Sequence, residues 1–408
     1  MTLTLQESLS EAAKGLLSSV KAPEAKHELW RQVPIKRLRD LPLEAACLVE
    51  MPSLKEVQPT SKEEEVSEDL LVFQTGRLKE NSSCAHVSIE AFSSVANTHE
   101  DILQQLSAQA KDDYYALNNL AHCPESYQLT IEPGRDPKRP IHLAFYNAHN
   151  NTTYQRIHIK VKSGVEAQLI TSQHSLGEGG TVNMEVSVEL EQGARLQYCD
   201  GQFSDAKLIR LGGLSVRQKR DSFFKYMQLS GQSLCLRQRL LVDLLEENAE
   251  VELIGCAYLA ESSSLNHVLD INHHVPNCRS RQLFKNILSA EARSSFDGTI
   301  YVEKNAGGTS AAQLNNNLLL SSTARAHTKP RMKIYASDVE CNHGATVGQL
   351  EEEEIFYLET RGLSQEVSMN LLAWGFMREV IDECPMEAFR EQWAQDTLNA
   401  ALSLKEIL

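Results

Sequence analysis

Short runs of alternating apolar and polar residues repeat along the middle of the chain, and this repeat constrains the fold more than any other feature. Clear examples are residues 127–131, 141–145, 157–161 and 182–190. Alternation with a period of two is typical of β-strands that bury one face. No helical pattern of convincing length interrupts these runs between residues 126 and 355. The middle of the chain is therefore predicted to consist of many short strands.

Similar turn-like segments precede several of these strands. They begin at Gly164, Gly193, Asn248 and, more weakly, Thr323, so successive starts are 29, 55 and 75 residues apart. These separations are near, though not clean, multiples of a period in the high twenties. Repeats of about 20 to 50 residues indicate a solenoid or a propeller, whereas many short strands also suit a sandwich or a barrel. The pattern alone leaves these architectures open.

Helical patterns flank the strands on both sides, which predicts three regions. Residues 1–125 are expected to be mainly helical, with Leu5 and Leu9 starting one apolar face and a further helix over 98–120. Residues 126–355 form the strand-rich core. Residues 356–408 form a C-terminal helical region.

Two apolar rows predict the first helix of the C-terminal region. One row is Leu363, Val367, Leu371 and the other is Leu372, Phe376, Val380. Pro385 marks the end of this helix. A second helix follows, with the apolar stripe Phe389, Trp393, Leu398, Leu402. Two such helices cannot bury both of their apolar faces alone, so we expect them to pack on the strands or to offer a surface to a partner.

The net charge of the chain argues against two classes of function. The 408 residues include 40 Lys and Arg against 55 Asp and Glu, which gives a net charge of -15. This balance argues against a nucleic-acid binder and against a protein held at an anionic membrane surface. No run of about 18 apolar residues is present, and residues 1–18 lack the cationic flank of a secretory signal. We therefore expect a cytoplasmic location.

The nine cysteines are widely spaced, and none forms a Cys-x-x-Cys pair. Their number is odd, so neither a disulfide framework nor a zinc ribbon is expected. Most of these thiols are expected to be small buried apolar groups.

The densest group of candidate ligands is the segment from Cys341 to Gly348, which reads CNHGATVG. If this segment is a strand, Cys341 and His343 lie on the same face. A thiolate beside an imidazole suits iron or zinc, and Gly344 and Gly348 leave room for another backbone or a cofactor. The alternative is ordinary core packing, because these side chains supply two ligands and a complete site needs about four.

A second group comprises His273, His274 and Cys278. Adjacent histidines on a strand point to opposite faces, so only one of them can join Cys278. A structural role is the favoured interpretation here.

Other enzyme signatures are absent from the sequence. It contains no phosphate-binding loop of the form G-x-x-x-x-G-K-[ST], no G-x-S-x-G nucleophile elbow and no H-E-x-x-H metal motif. A solenoid enzyme that cleaves polysaccharides needs acids and bases gathered on one face, and no such set is recognisable.

The twenty residues from Lys329 to Gly348 carry the most specific signal. This segment, KPRMKIYASDVECNHGATVG, closely resembles the signature of the SufD family, whose members are subunits of the SUF iron–sulfur cluster assembly complex. The similarity continues through residues 355–358, 361–362, 371–372 and 375–376, and upstream through 296–298 and 317–321. Near the N-terminus, residues 26–30 are similar to the family's Lys-His-Glu-x-Trp segment.

The resemblance implies a mainly β fold in which a right-handed parallel β-helix lies between N-terminal and C-terminal helical regions. It also implies a scaffold and not an enzyme. In the family, this subunit pairs with the related subunit SufB, and each subunit binds one copy of the ATPase SufC through its C-terminal helices. The nascent cluster is thought to form where the two β-helices meet.

The family's functional histidine falls on His343, which the resemblance makes the leading ligand for a transient iron–sulfur cluster or iron. Cys341 is the second candidate. We expect the imidazole to project outward from the coil, where a partner completes the ligand set. The C-terminal residues expected to contact SufC are Leu358, Arg361, Gly362, Leu371, Leu372, Gly375 and Phe376.

Further expectations concern cofactors and partners. The isolated chain is expected to hold no cofactor, and an unpaired β-helix edge makes a homodimer plausible. A reduced flavin is associated with the family's assembled complex, but no residues for it are recognisable here. The alternative function is a purely structural interaction subunit with all cluster ligands supplied by SufB. A β-helix enzyme acting on carbohydrate is the third possibility.

Overall fold

Nineteen strands form two long sheets in the described part of the chain, as a computed structural model shows. The structure describes residues 3–24, 26, 28–39, 41, 43, 69–81, 85–95, 106, 113–148, 152–176, 179–202, 207–231, 233–387, 389–391 and 393–395. The strands are β1 (Asp69–Gln74), β2 (Arg77–Asn81), β3 (Val87–Ala91), β4 (Ser126–Ile131), β5 (Ile141–Ala148), β6 (Thr152–Val161), β7 (Glu166–Leu176), β8 (Thr181–Leu190), β9 (Arg195–Gln202), β10 (Ile209–Gln218), β11 (Phe223–Ser230), β12 (Cys235–Leu244), β13 (Glu250–Leu259), β14 (Ser264–His273), β15 (Arg279–Leu288), β16 (Arg293–Val302), β17 (Thr309–Leu319), β18 (Arg325–Ile334) and β19 (Val339–Gly348).

From β4 onward the strands alternate between the two sheets, so each turn of chain adds one strand to each sheet. One sheet, called the odd sheet because all its strands except β2 have odd numbers, runs β19-β17-β15-β13-β11-β9-β7-β5-β1-β2. The other, called the even sheet because all its strands except β3 have even numbers, runs β18-β16-β14-β12-β10-β8-β6-β4-β3. Leu236 pairs with Leu265 and Ser264 pairs with Arg293, so these neighbouring turns are offset by 29 residues. The result is a parallel β-helix of about seven turns, which confirms the predicted fold class.

Left-handed backbone marks the same corner of successive turns. The residues with positive φ at this corner are Gly164, Gly193, Asp221, Asn248, Asn277 and Gly308. Glycine, asparagine and aspartate tolerate this conformation best, so the predicted turn starts at Gly164, Gly193 and Asn248 are confirmed. Thr323 belongs to a different corner, where its hydroxyl donates to the carbonyl of Ala290 at 2.6 Å.

Side chains that face the space between the sheets form the main core. This cluster includes Ile157 and Val186 of the even sheet and Leu169 and Leu196 of the odd sheet, all of them buried. Burial of alternate residues from both sheets explains the period of two in the sequence. The core continues to the last turn, where Ile300 forms part of a separate small cluster.

The N-terminal region contributes strands as well as helices. Its helices are α1 (Leu5–Leu17), α2 (Ile35–Arg39) and α3 (Tyr114–His122), with short 3-10 turns at Glu28–Trp30 and Phe92–Ser94. The prediction that residues 1–125 are mainly helical is wrong for β1, β2 and β3. β1 pairs in parallel with β5 and antiparallel with β2, and β3 pairs antiparallel with β4. Of the predicted helix over 98–120, only residues 106 and 113–120 are described.

The C-terminal region begins with α4 (Glu352–Thr360) and α5 (Gln365–Ile381). Met377, Val380 and Ile381 of α5 pack on the outer face of the odd sheet, in one cluster with Ile254 and Leu283. None of the described helices is long and apolar enough to span a bilayer. Leu398 and Leu402 of the predicted last helix lie outside the described residues. The division into three domains remains a prediction.

Candidate functional site

The β-helix has an open end at β18 and β19. Each of these ten-residue strands is the last strand of its sheet, so one side of its backbone has no strand partner among the residues described. Apolar side chains are exposed beside these edges, with Ile334 37%, Val347 46% and Tyr335 60% exposed. Unpaired edges with apolar surroundings are templates for pairing with another chain.

Cys341 lies on the inner side of this last turn. It pairs with buried Ala311 of β17 and packs against the small cluster that contains Ile300 and Val302. The side chain is half-buried, and burial raises the pKa of its thiol. Because the thiolate is the form that binds metals, this environment makes Cys341 a poorer ligand than an exposed thiol.

His343 shares that inner side and is exposed. It pairs with Gln313, which is 1% exposed and donates a hydrogen bond to Gln282 inside the coil at 2.8 Å. The expectation that the imidazole projects outward from the coil wall is therefore wrong. His343 is accessible for a different reason: β19 ends its sheet, so no described strand covers this position.

The two candidate ligands fill part of a coordination sphere. Cys341 and His343 are two residues apart on one strand, about 6.6 Å along its axis. Iron and zinc sites need about four ligands, so further ligands would have to come from elsewhere. Among the residues described, no group of three or more His, Cys, Asp or Glu side chains is arranged to hold a metal ion.

Close packing explains one of the two glycines beside these residues. A Cβ atom on Gly344 would lie 3.1 Å from Cδ1 of Leu314 on the neighbouring strand, whereas a Cβ on Gly348 would meet nothing within 4 Å. Leu314 is itself 38% exposed. The absence of a side chain at position 344 thus lets Leu314 lie across β19.

A row of basic side chains on β18 was missed by the sequence reasoning. The outward-facing residues of this strand are Arg325, His327, Lys329, Arg331 and Lys333. Lys329 and Arg331 contact Glu28 of the N-terminal region, and Arg331 also contacts Asp297. The signal was present in the sequence as a positively charged or imidazole side chain at every second position of a predicted strand.

The predicted partner-contact residues of the C-terminal region differ in exposure. Leu371, Arg361 and Gly362 are exposed, as is Gly375, whereas Leu358, Leu372 and Phe376 are half-buried.

One contact accounts for the partial burial of Phe376. Phe376 lies under the ammonium of Lys285, 4.6 Å from the ring centre, and the Arg361 guanidinium donates to the Tyr357 hydroxyl at 3.2 Å. Leu371 is 48% and Phe356 67% exposed, so α4 and α5 present apolar surface to solvent.

The second predicted group has structural roles. His273 is buried and hydrogen-bonded to Ser280 at 2.9 Å, while His274 lies between Asp243 at 3.1 Å and Glu303 at 2.7 Å. Cys278 is fully buried just after the corner residue Asn277. The structural interpretation of this group is favoured by these contacts, since no metal-binding arrangement brings the three residues together.

A buried charged group beneath α3 was not predicted. Asp113 caps the helix and pairs with Arg237 at 2.9 Å, and Arg156 donates to the side chain of Asn119 at 2.9 Å. Burial raises the pKa of Glu185 to about 7. The adjoining cavity of about 20 Å³ has room for about one water molecule. The contacts attach α3 to the even sheet.

These features define a class of protein. The last turn of the β-helix exposes two strand edges that have no strand partner among the described residues, the imidazole of His343 and several apolar side chains, with Cys341 half-buried beside them. Its C-terminal helices present a second apolar surface. Both surfaces suit contact with another protein.

Sequence comparisons identify the family. Residues 144–376 match the family described as the SUF system FeS cluster assembly SufBD core domain. The chain therefore belongs to the SufBD family of the SUF system, which functions in iron–sulfur cluster assembly. The predicted resemblance is confirmed at this level.

Individual relatives agree with this assignment. A SufBD family protein for iron–sulfur cluster assembly from Synechocystis is 26% identical over 94% of this chain and 89% of its own length. The Escherichia coli protein SufD is 28% identical over 65% of this chain and 64% of its own length. The chloroplastic protein ABCI7 of Arabidopsis thaliana is 27% identical over 69% and 61%. The alignments thus span less than two thirds of the last two relatives.

Proposed function

We propose that this chain is a non-catalytic scaffold subunit that pairs with a SufB-type subunit, binds a SufC-type ATPase and contributes a ligand to a nascent iron–sulfur cluster. The cluster is the cargo of the complex and forms where the two subunits meet. The proposed location is the cytoplasm. The observation that carries the proposal is the open end of the β-helix, where ligand-type side chains and unpaired strands coincide.

Pairing through β18 and β19 satisfies several needs at once. A partner strand along either edge would complete backbone hydrogen bonds that the described strands leave unmade on that side. It would also cover Ile334 and Val347. Since His343 lies on β19, any subunit that continues the coil would place its own side chains near the imidazole.

His343 is the preferred ligand because its ring is exposed at the open end of the β-helix, where the partner subunit would join. Neutral imidazole binds iron without needing the low pKa that a thiol requires. Cys341 is a second ligand only if metal binding displaces its proton, because burial raises the pKa of this thiol.

The C-terminal helices are the proposed ATPase-binding surface. One side of α5 is fixed to the odd sheet through Met377 and Val380. The other side exposes Val367 and Leu371, which lie 47% and 48% exposed. An ATPase bound here would act on the β-helix through α5, which is packed against its outer wall.

The alternative is a structural subunit that organises its partners while SufB supplies every ligand. The half-buried state of Cys341 favours this alternative for the thiol, though not for the exposed imidazole of His343. Substitution at one residue distinguishes the two functions.

We predict that His343→Ala leaves the complex intact but lowers its iron–sulfur content when the chain is co-expressed with SufB-type and SufC-type subunits. Size-exclusion chromatography measures assembly, and visible absorbance with iron analysis measures the cluster. His327→Ala is the matched control, because His327 is exposed on the neighbouring edge strand but faces the outer side. Unchanged cluster content in His343→Ala would rule out His343 as a required ligand and favour the purely structural alternative.

A reciprocal pair of variants tests the two surfaces. We predict that Val347→Asp weakens pairing with the SufB-type subunit and keeps ATPase binding, because the new charge lies at the open end. Leu371→Asp should do the opposite. Each variant controls for misfolding in the other, and pull-down of each partner provides the measurement. Loss of both partners from either well-folded variant would contradict the assignment of separate surfaces.

A further inference from the structure

Two buried thiols meet where the C-terminal segment crosses the outer face of the odd sheet. The Sγ atoms of Cys199, on β9, and Cys384, just after α5, are 3.7 Å apart. Cys199 is fully buried and Cys384 is 1% exposed. The two residues are separated by 185 positions in the sequence, so a bond between them would attach the C-terminal segment covalently to the β-helix.

Ion pairs hold Cys384 in this position. The preceding residue, Glu383, accepts two hydrogen bonds from the Arg281 guanidinium, at 2.7 and 2.5 Å. Lys225 lies 3.5 Å from the same carboxylate. A carboxylate bound by two parallel hydrogen bonds has a defined geometry, so Cys384 is placed against Cys199 by its neighbours and not only by apolar packing.

The two thiols differ in acidity, which gives them different roles. The hydrogen bond with Cys199 and the nearby cationic side chains of Arg390 and Lys225 lower the pKa of Cys384. Burial raises the pKa of Cys199. Cys384 is therefore the thiol that more readily becomes the nucleophilic thiolate.

We propose that Cys199 and Cys384 form a reversible disulfide that fixes the C-terminal segment to the β-helix when the protein is exposed to a peroxide. The Cys384 thiolate attacks one oxygen of hydrogen peroxide, giving a sulfenic acid and hydroxide, which takes up a proton to become water. The Cys199 sulfur then attacks the sulfenic sulfur, and hydroxide leaves with the thiol proton as water. Two thiols lose two electrons, and one peroxide becomes two waters.

The site is accessible only after a local opening. Both sulfurs are covered by the segment that contains Cys384, so the oxidant reaches them when this segment separates briefly from the sheet. An S–S bond is about 2.0 Å long, so the sulfurs must also move closer than they lie in the reduced chain. The disulfide should therefore form more slowly than oxidation of an exposed thiol and should then prevent the opening.

A consequence follows for regulation, and this part rests on the proposed function. If the ATPase binds to α4 and α5, the disulfide limits the motion of these helices relative to the β-helix. Oxidation would then couple the redox state of the cell to ATPase-driven movement. The disulfide itself does not depend on this interpretation.

The test uses the purified chain of 408 residues. The chain is treated with hydrogen peroxide, its remaining thiols are trapped with an alkylating agent in denaturant, and its peptides are mapped by mass spectrometry. We expect a peptide pair joined through Cys199 and Cys384 that disappears on reduction. The melting temperature without reductant should rise by a few degrees after oxidation. Either Cys199→Ser or Cys384→Ser should abolish this shift, whereas Cys256→Ser should retain it, since Cys256 is a buried thiol of the same cluster.

Recovery of both cysteines as alkylated thiols after peroxide treatment would overturn the proposal, as would their oxidation without a mutual bond. The peptide map of the unmodified sequence decides this even if a serine variant fails to fold. The result is also separate from the proposed function, because the measurement uses neither partner subunits nor cluster content.

Discussion

Cys341 and His343 show which side-chain positions a period of two predicts and which it does not. A period of two predicts that Cys341 and His343 share a face, and the structure places them on one. The pattern does not tell which face is the inner one. That depends on the pairing of His343 with buried Gln313 and of Cys341 with Ala311, and only the register between strands determines it.

The single residue His274 is expected to stabilise the fold most below pH 6.5. Its hydrogen bond to Asp243 raises the pKa of the imidazole above its usual 6.5, opposed by burial and helped by Glu303. A raised folded-state pKa means that this stabilisation is complete below pH 6.5 and is lost as the pH rises through the higher value. The two contacts of His274 also link three successive turns of the β-helix, because Asp243, His274 and Glu303 each lie on a different turn.

We therefore predict that His274→Gln destabilises the protein more at pH 6 than at pH 8.5. Urea unfolding of both proteins at the two pH values provides the measurement. His327→Gln, at an exposed position, is the control and should show little difference. An equal loss of stability at both pH values would show that His274 acts through packing and not through its charge.

Individual elements were predicted unevenly. The turns at Gly164, Gly193 and Asn248 were recognisable because glycine and asparagine favour left-handed backbone. Strand β1 was not recognised, because its pairing with distant β5 leaves no local signal. In α5 both apolar rows were visible, but sequence could not tell which side packs on the sheet, since that depends on the position of the helix.

The two sides of α5 should respond differently to truncation. Met377 is 1% exposed and Leu371 is 48% exposed. We predict that Met377→Ala destabilises the C-terminal region by about 2–5 kcal/mol, as expected for a buried side chain. Leu371→Ala is the matched control and should change stability by less than about 0.5 kcal/mol.

Tryptophan fluorescence during urea unfolding measures this effect locally, because Trp374 and Trp393 both lie in this region. Equal effects of the two substitutions would mean that α5 packs on the sheet through a different side.

The whole molecule is a coil with one end open. The repeat left a solenoid, a propeller, a sandwich and a barrel open. The family resemblance selected the β-helix, and the match to the SufBD family agrees with that resemblance. An unpaired β-helix edge was expected, but its position was not predictable from periodicity, because a repeat has no signal for the place where stacking stops. The exposed inner side of the last turn, including Ile334 and Val347, becomes visible only when the turns are assembled.

The proposed function requires a partner that joins the β-helix at β18 and β19. Backbone amide hydrogen exchange, compared between the chain alone and the chain bound to a SufB-type subunit, tests this most directly. We predict slower exchange along residues 325–334 and 339–348 in the complex, with residues 352–360 of α4 unchanged until a SufC-type ATPase is added. Unchanged amide exchange along both strands in a stable complex would show that the partner does not join the β-helix at β18 and β19.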